Sequence, residues 1–214
     1  MSRAPLRLAV LASGRGSNLA AILAACNDGR LRAEVAGVFS DRSKSGAIAI
    51  AEAAGVPAMT ISPKGFAERS DYDRALFDAV DAVRPGLIVC AGFMRVLSAG
   101  AVAPRTQRLI NIHPSLLPRY TGLHTHQRAL DAGDSEHGAS VHFVIPALDA
   151  GPVIAQTRIA IVAGDTPDAL AARLLPAEHR LLIGSIALFA AHAIAHADGR
   201  VSIDGAVQGA PYSL

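Results

Sequence analysis

The apolar positions of this chain fall into short runs that alternate with helical patterns, and that alternation sets the expected architecture. Residues 6–12 form a short apolar run read as a strand, followed by a glycine turn and a helical pattern from about Ser17 to Cys26. Residues 35–39 predict a second strand, and 47–54 a helix ended by Gly55 with Pro57 behind it. A third strand at 58–61 precedes a helix over 71–83, which stops before Arg84-Pro85-Gly86. Strands four and five fall at 87–90 and 109–112. This βαβα order predicts an α/β fold with a Rossmann-like, mostly parallel sheet and helices on both faces. Beyond residue 113 come a proline-rich loop, a short helix near 125–132, strands at 139–144 and 153–161, and a long last helix. That half reads as α+β and continues the same sheet. One domain is expected, in halves 1–105 and 106–214.

The longest apolar stretch, 181–197, is short for a bilayer span and contains His192 and His196. Glu178, Ser185, His192 and His196 recur at helical spacing, which predicts the polar side of one amphipathic helix. With 51% hydrophobic and 18% charged residues in 214, the chain has material for a sizeable core. Its 20 basic and 18 acidic residues leave a formal charge of +2 with no basic block, which argues against nucleic acid as a partner. Lys44 and Lys64 are the only lysines. Arginine suits forked recognition of phosphate and carboxylate, although GC-rich coding accounts for most of such an excess. Cys26 and Cys90 have no metal or redox spacing and read as packing residues in a reducing compartment. The first five residues lead straight toward a strand without a signal-peptide pattern, so a cytoplasmic protein with no membrane partner is expected.

Candidate chemistry begins with Ser13-Gly14-Arg15-Gly16-Ser17-Asn18, between the first strand and the first helix. The glycines let the backbone turn tightly and approach a ligand. The amides of Gly16, Ser17 and Asn18 would then face outward at the positive helix end, which favours an anion such as phosphate. A plain turn with Ser17 as helix N-cap accounts for the same residues. A Walker loop needs Gly-Lys-Ser/Thr, and no lysine is present there. The dinucleotide fingerprint wants a third small residue where Leu19 sits, yet Asp41 stands at a tolerable distance for ribose binding. An NAD-dependent oxidoreductase is therefore one alternative; a mononucleotide phosphate fits the loop better.

The run Asn111-Ile112-His113-Pro114-Ser115-Leu116-Leu117-Pro118 ends strand five at the carboxyl edge of the sheet, where ligands of such folds bind. Alternation puts Asn111 and His113 on one face and Ile112 in the core. An amide beside an imidazole suits acyl transfer, the amide stabilising an oxyanion and the imidazole moving protons. Asp149, in Leu148-Asp149-Ala150-Gly151-Pro152, is by itself a turn former and in this company a possible third member. A serine triad of Ser115, His113 and Asp149 fails, because there is no Gly-x-Ser-x-Gly elbow and Ser115 sits two residues from the histidine. Leu117-Pro118 is expected to be cis, fixing the sharp turn between the two prolines. His124, His126, His137 and His142 offer nitrogen ligands without any HExxH or paired-cysteine pattern, so no metal is expected.

The loop 13–18, the run Ala91-Gly92-Phe93-Met94-Arg95-Val96-Leu97, the run 111–118, Gly122-Leu123-His124-Thr125-His126, Ser140-Val141-His142-Phe143 and residues 148–156 occur in one order. Together they resemble the folate-dependent phosphoribosylglycinamide formyltransferase family, over nearly the whole chain. The 111–118 run is shared with methionyl-tRNA formyltransferase and formyltetrahydrofolate deformylase, so it specifies formyl-folate chemistry rather than the acceptor. The phosphate-like loop and Gly-Leu-His-Thr-His separate this family from the tRNA enzyme, whose additional C-terminal domain has no room here. The deformylase's extra N-terminal regulatory domain is also missing from the expected plan.

The resemblance implies transfer of a formyl group from 10-formyltetrahydrofolate, as co-substrate, to the amine of glycinamide ribonucleotide in purine biosynthesis. It implies that Asn111, His113 and Asp149 are catalytic. Gly14, Arg15, Gly16, Ser17 and Asn18 match the phosphate loop, Arg69 a basic residue near it, and Glu178 the ribose position. Met94, Arg95, Val96 and Leu97, with Val144, Ile145 and Leu148 opposite, match the folate pocket. On this reading half 1–105 holds the nucleotide phosphate and 106–214 the catalytic and folate-binding residues. The partners are small molecules, and the chain is expected to be a monomer or homodimer. Another formyl-folate enzyme, or a non-catalytic folate-binding protein that keeps the fold, are the alternatives. The chain departs from the family pattern at Arg15, at Ala150 after the aspartate, at Pro176, expected to interrupt the helix before Glu178, and at Leu182-Ile183.

Overall fold

A computed structural model describes residues 4–214; residues 1–3, part of the expected lead-in to the first strand, lie outside the described residues. The first half runs β1 (Leu6–Leu11), α1 (Ser17–Asn27), β2 (Ala33–Ser40), α2 (Gly46–Ala53), β3 (Ala58–Thr60), α3 (Arg69–Ala82) and β4 (Leu87–Cys90). It continues with α4 (Ala99–Val102), β5 (Leu109–His113), α5 (Thr125–Asp131), β6 (Glu136–Phe143), β7 (Val153–Ala160) and α6 (Pro167–Ala191). The chain closes with β8 (Ile194–Ala197), β9 (Arg200–Ile203), β10 (Ala206–Val207) and β11 (Tyr212–Ser213).

Eight strands form one sheet in the order β11-β7-β6-β5-β4-β1-β2-β3, so both halves of the chain share it. Strands β3, β2, β1, β4 and β5 are parallel, β5–β6 and β6–β7 pair antiparallel, and β11 joins β7 in parallel, so the sheet is mostly parallel as expected. Leu8–Leu11 of β1 and all of β4 are unbroken apolar runs because both sheet faces are covered there. The pleat divides β1 between two cores. Leu8 and Val10 pack with Leu19 and Ile22 of α1 and Leu174 and Leu181 of α6. Ala9 and Leu11 pack on the other face with Tyr72, Leu76 and Phe77 of α3. Burial pushes the Cys90 thiol up to about 12, as suits a packing residue.

The C-terminal region differs from the expected single amphipathic helix. Helix α6 ends at Ala191, and His196 lies in β8, where its Nε2 donates to Thr106 O at 3.1 Å. Strands β8, β9 and β10 form a separate three-stranded sheet. Two Asp-Gly pairs cause this. Asp198-Gly199 and Asp204-Gly205 all have positive φ, and each pair joins two antiparallel strands directly, the geometry that tight hairpins require. Ser185 is not on a polar face either; it is fully buried and its hydroxyl donates to Leu181 O at 2.8 Å. Pro176 does not interrupt α6, which runs unbroken through it. By length and composition α6 is apolar enough to cross a membrane. Its apolar side is instead committed to the sheet and to α1 and α5, with Leu170, Leu174, Leu181, Leu182 and Ile186 fully buried.

Candidate active site

The loop 13–18 joins β1 to α1 and is held by close backbone contact with α2. Gly16, not Ser17, occupies the N-cap position of α1, with φ +83° and no side-chain cap on the helix. A Cβ at Gly16 would stand 2.8 Å from Ala47 Cα, so the loop needs glycine there for space as well as for backbone sign. Leu19, where a dinucleotide fingerprint wants a small residue, is fully buried below the loop. With neither a side-chain cap nor an acidic residue in its first turn, the helix end suits an anion. Asn18 Oδ1 is buried without a partner among the described residues. The Ser13 hydroxyl accepts from Met94 N at 2.9 Å, which ties this loop to the run 91–97. Arg15 is exposed.

Strand β5 delivers Asn111 and His113 at its carboxyl end, with Ile112 in the core between them. The loop that follows doubles back, with Leu117-Pro118 cis as expected. Ser115 is buried and its hydroxyl donates to Arg119 O at 2.8 Å, so it has a structural task rather than a nucleophile's. His113 is 6% exposed. Its Nε2 lies 2.9 Å from Tyr120 O. A carbonyl only accepts, so Nε2 carries the proton and Nδ1 is the nitrogen left to exchange one. That nitrogen faces Asp149 Oδ2 at 3.5 Å. Asp149 sits in the turn between β6 and β7 with φ 49°, and its Oδ2 also accepts from Gly122 N at 2.8 Å. Gly151 completes this turn because a Cβ there would lie 1.8 Å from Phe143 O.

His142 joins the group, a residue that local sequence reading did not place in the site. It pairs across the antiparallel β5–β6 ladder with Asn111. Its Nδ1 donates to Phe143 O at 2.8 Å, which leaves Nε2 to accept from Asn111 Nδ2 at 3.1 Å. Burial holds its basicity below that of an ordinary histidine and keeps it neutral. The same Nε2 lies 3.7 Å from Asp149 Oδ1. Asn111, His142 and Asp149 all line one open cleft. His113 does not line it and is joined to it through Asp149.

Arg95, Val96, Leu97, Val144, Ile145 and Leu148 line the same cleft, so six of the seven expected folate residues meet around one space. Met94 does not; its side chain projects to solvent at 61% exposure. Arg95 is half-buried with its guanidinium 5.0 Å from the centre of the Tyr72 ring, so it is not a free surface arginine. Two more residues stand apart from the cleft. Arg69 is exposed at the start of α3 and makes no side-chain hydrogen bond among the described residues. Glu178 lies on α6, where burial pushes its carboxyl up to about 7. His126 Nδ1 and His137 Nε2 bond each other at 2.9 Å, and burial lowers both, His137 to about 4. Among the described residues no cluster of three or more histidine, cysteine or acidic side chains is placed to hold a metal ion.

The Formyl transferase family profile matches residues 6–186. Phosphoribosylglycinamide formyltransferase of Escherichia coli K12 is 43% identical over 198 residues, covering 92% of this chain and 90% of that one. The structure of a phosphoribosylglycinamide formyltransferase from Coxiella burnetii superposes with a TM-score of 0.93 at 42% identity, over 98% of this chain and 99% of that one. A formyltetrahydrofolate deformylase from Burkholderia mallei gives 0.84 at 25% identity, over 94% of this chain and 70% of that one.

Proposed function

The chain belongs to the formyl transferase family, and we infer that it moves the formyl group of 10-formyltetrahydrofolate onto the amine of glycinamide ribonucleotide in purine biosynthesis. The observation that carries this reading is the meeting of Asn111, His142 and Asp149 in one cleft, with His113 joined to them through Asp149. The folate enters the cleft among Arg95, Val96, Leu97, Val144, Ile145 and Leu148, with Met94 at the rim. The ribonucleotide phosphate rests on Gly14, Arg15, Gly16, Ser17 and Asn18, aided by Arg69, and Glu178 takes the ribose. The Ser13 hydroxyl accepts from Met94 N, which ties the phosphate loop to the run beside the folate cleft.

The substrate amine attacks the formyl carbon. A carbon–nitrogen bond forms as the carbonyl π electrons move onto oxygen. Asn111, with one amide hydrogen held by His142, turns its other toward that oxygen. The proton that the attacking amine loses is relayed through Asp149 to His113 Nδ1, and the resulting imidazolium–carboxylate ion pair adds positive charge near the oxyanion. As the carbonyl re-forms and the old carbon–nitrogen bond breaks, the same proton returns from His113 through Asp149 to N10 of the departing tetrahydrofolate, leaving the pair as it began. No covalent enzyme intermediate is needed. A cytoplasmic setting accords with these small soluble substrates.

The deformylase likeness gives a second reading in which water is the acceptor. Purified protein incubated with 10-formyltetrahydrofolate separates the two. Product formation that requires glycinamide ribonucleotide supports transfer. Equal release of formate without any amine supports hydrolysis.

A further inference from the structure

We propose that Tyr120 is a positioning residue for formyl transfer, latched through its hydroxyl to Asp134 so that the segment 120–122 clamps both His113 and Asp149. The proposal rests on the formyl-transfer reading for what it says about turnover, but not for what it says about His113 itself.

The segment grips the pair from two sides. Tyr120 O accepts from His113 Nε2 at 2.9 Å. Two residues on, Gly122 N donates at 2.8 Å to Asp149 Oδ2, the oxygen that faces His113 Nδ1 at 3.5 Å. The intervening backbone turns through positive φ at both ends, 61° at Tyr120 and 79° at Gly122. Glycine adopts this freely; tyrosine does so only where its surroundings over-determine the conformation.

The Tyr120 side chain supplies that determination. Its hydroxyl donates to Asp134 Oδ2 at 2.6 Å, and Asp134 Oδ1 accepts from Arg119 Nη1 at 3.1 Å. The Arg119 and Arg128 guanidinium carbons lie 5.8 and 5.2 Å from the Tyr120 ring centre. Arg128 Nη1 also donates to Thr121 O at 2.6 Å, the residue inside the clamp. Neither Tyr120 nor Asp134 lines the cleft, so their effect reaches the reaction through backbone atoms. The loop has separate closures, Ser115 Oγ to Arg119 O and Thr125 Oγ1 to Pro114 O. Loss of the phenol hydroxyl therefore loosens 120–122 without opening the whole loop.

The test is nitrogen-15 NMR of histidine-labelled, substrate-free protein together with steady-state kinetics of Tyr120→Phe, Asp134→Ala and Asp134→Asn. In the wild type the neutral His113 ring carries its proton on Nε2. In Tyr120→Phe and Asp134→Ala the ring becomes a mixture of tautomers. In both, kcat falls about tenfold while the two KM values stay within about twofold. Asp134→Asn still offers the phenol an acceptor and recovers most of the loss. The double variant loses no more than the worse single, because the two residues act as one latch. If His113 keeps the pure Nε2-protonated form in Tyr120→Phe and Asp134→Ala, the proposal is wrong whatever their activity. A protein that turns over no formyl donor, with tautomers shifting as described, would refute the reaction but leave the latch standing.

Discussion

His142 Nε2 accepts from Asn111 Nδ2 at 3.1 Å because its other ring nitrogen is already committed to Phe143 O. The bond orients the amide, fixing which of its atoms is turned toward His142 and which hydrogen is left for a developing oxyanion. His142→Ala frees the amide to flip, so kcat falls about tenfold with little change in either KM. His142→Gln, which can offer a carbonyl oxygen to Asn111, keeps more of the activity. Steady-state kinetics of the two variants against glycinamide ribonucleotide reads the difference. Equal activity in His142→Ala and wild type would leave Asn111 oriented by something else.

Glu178 links stability to pH with a definite sign. Its carboxyl, pushed up to about 7 by burial, binds a proton more tightly in the folded chain than in the unfolded one. Its favourable contribution is therefore complete below the unfolded value near 4.5 and disappears as pH rises through about 7. Glu178→Gln mimics the protonated form. It should be more stable than wild type at pH 8, by roughly 1–3 kcal/mol, and no more stable near pH 4.5. If Glu178 holds the ribose, the same variant raises KM for the ribonucleotide. Denaturant melts at the two pH values check the first part, and an unchanged difference between them would show that burial does not govern this carboxyl.

The loop 13–18, proposed to hold the phosphate, gives a prediction that separates the two substrates. Gly16→Ala introduces a Cβ 2.8 Å from Ala47 Cα at a residue with φ +83°, so it displaces the loop or strains it by roughly 1–3 kcal/mol. KM for the ribonucleotide rises and folate binding changes little. Arg69→Ala should act in the same direction through loss of one charge-assisted contact, worth roughly 1.5–3 kcal/mol. Because Arg69 is exposed and makes no side-chain hydrogen bond among the described residues, no effect on KM would return it to the solvent surface.

Strands β1 to β7, the two faces of β5 and the Asn111–His113 spacing were legible in the sequence because each follows from local periodicity. The grouping of Arg95–Leu97 with Val144–Leu148 around one cleft came from the family resemblance rather than from periodicity. The site's other members were less accessible for a common reason. His142 reaches Asn111 through an antiparallel pairing 31 residues apart, and Tyr120 acts through its carbonyl, which no side-chain pattern announces. The small C-terminal sheet had a local signal that the alanine-rich helical reading overrode: Asp198-Gly199 and Asp204-Gly205 are tight-hairpin dipeptides. Pro176 does not break α6, because the helix is held on both sides by buried Leu174, Leu181 and Leu182 and tertiary packing outweighs the missing amide.

Asp149→Asn tests the account's central claim most directly, because asparagine nearly matches the shape of aspartate but cannot balance a charged His113 or share a proton. The measurement is kcat for formylation of glycinamide ribonucleotide by 10-formyltetrahydrofolate, with thermal melting and folate titration as controls. We predict a fall of about two orders of magnitude or more with modest change in KM, and near-normal melting and folate binding. Turnover at the wild-type rate would make Asp149 a turn former only and contradict the mechanism.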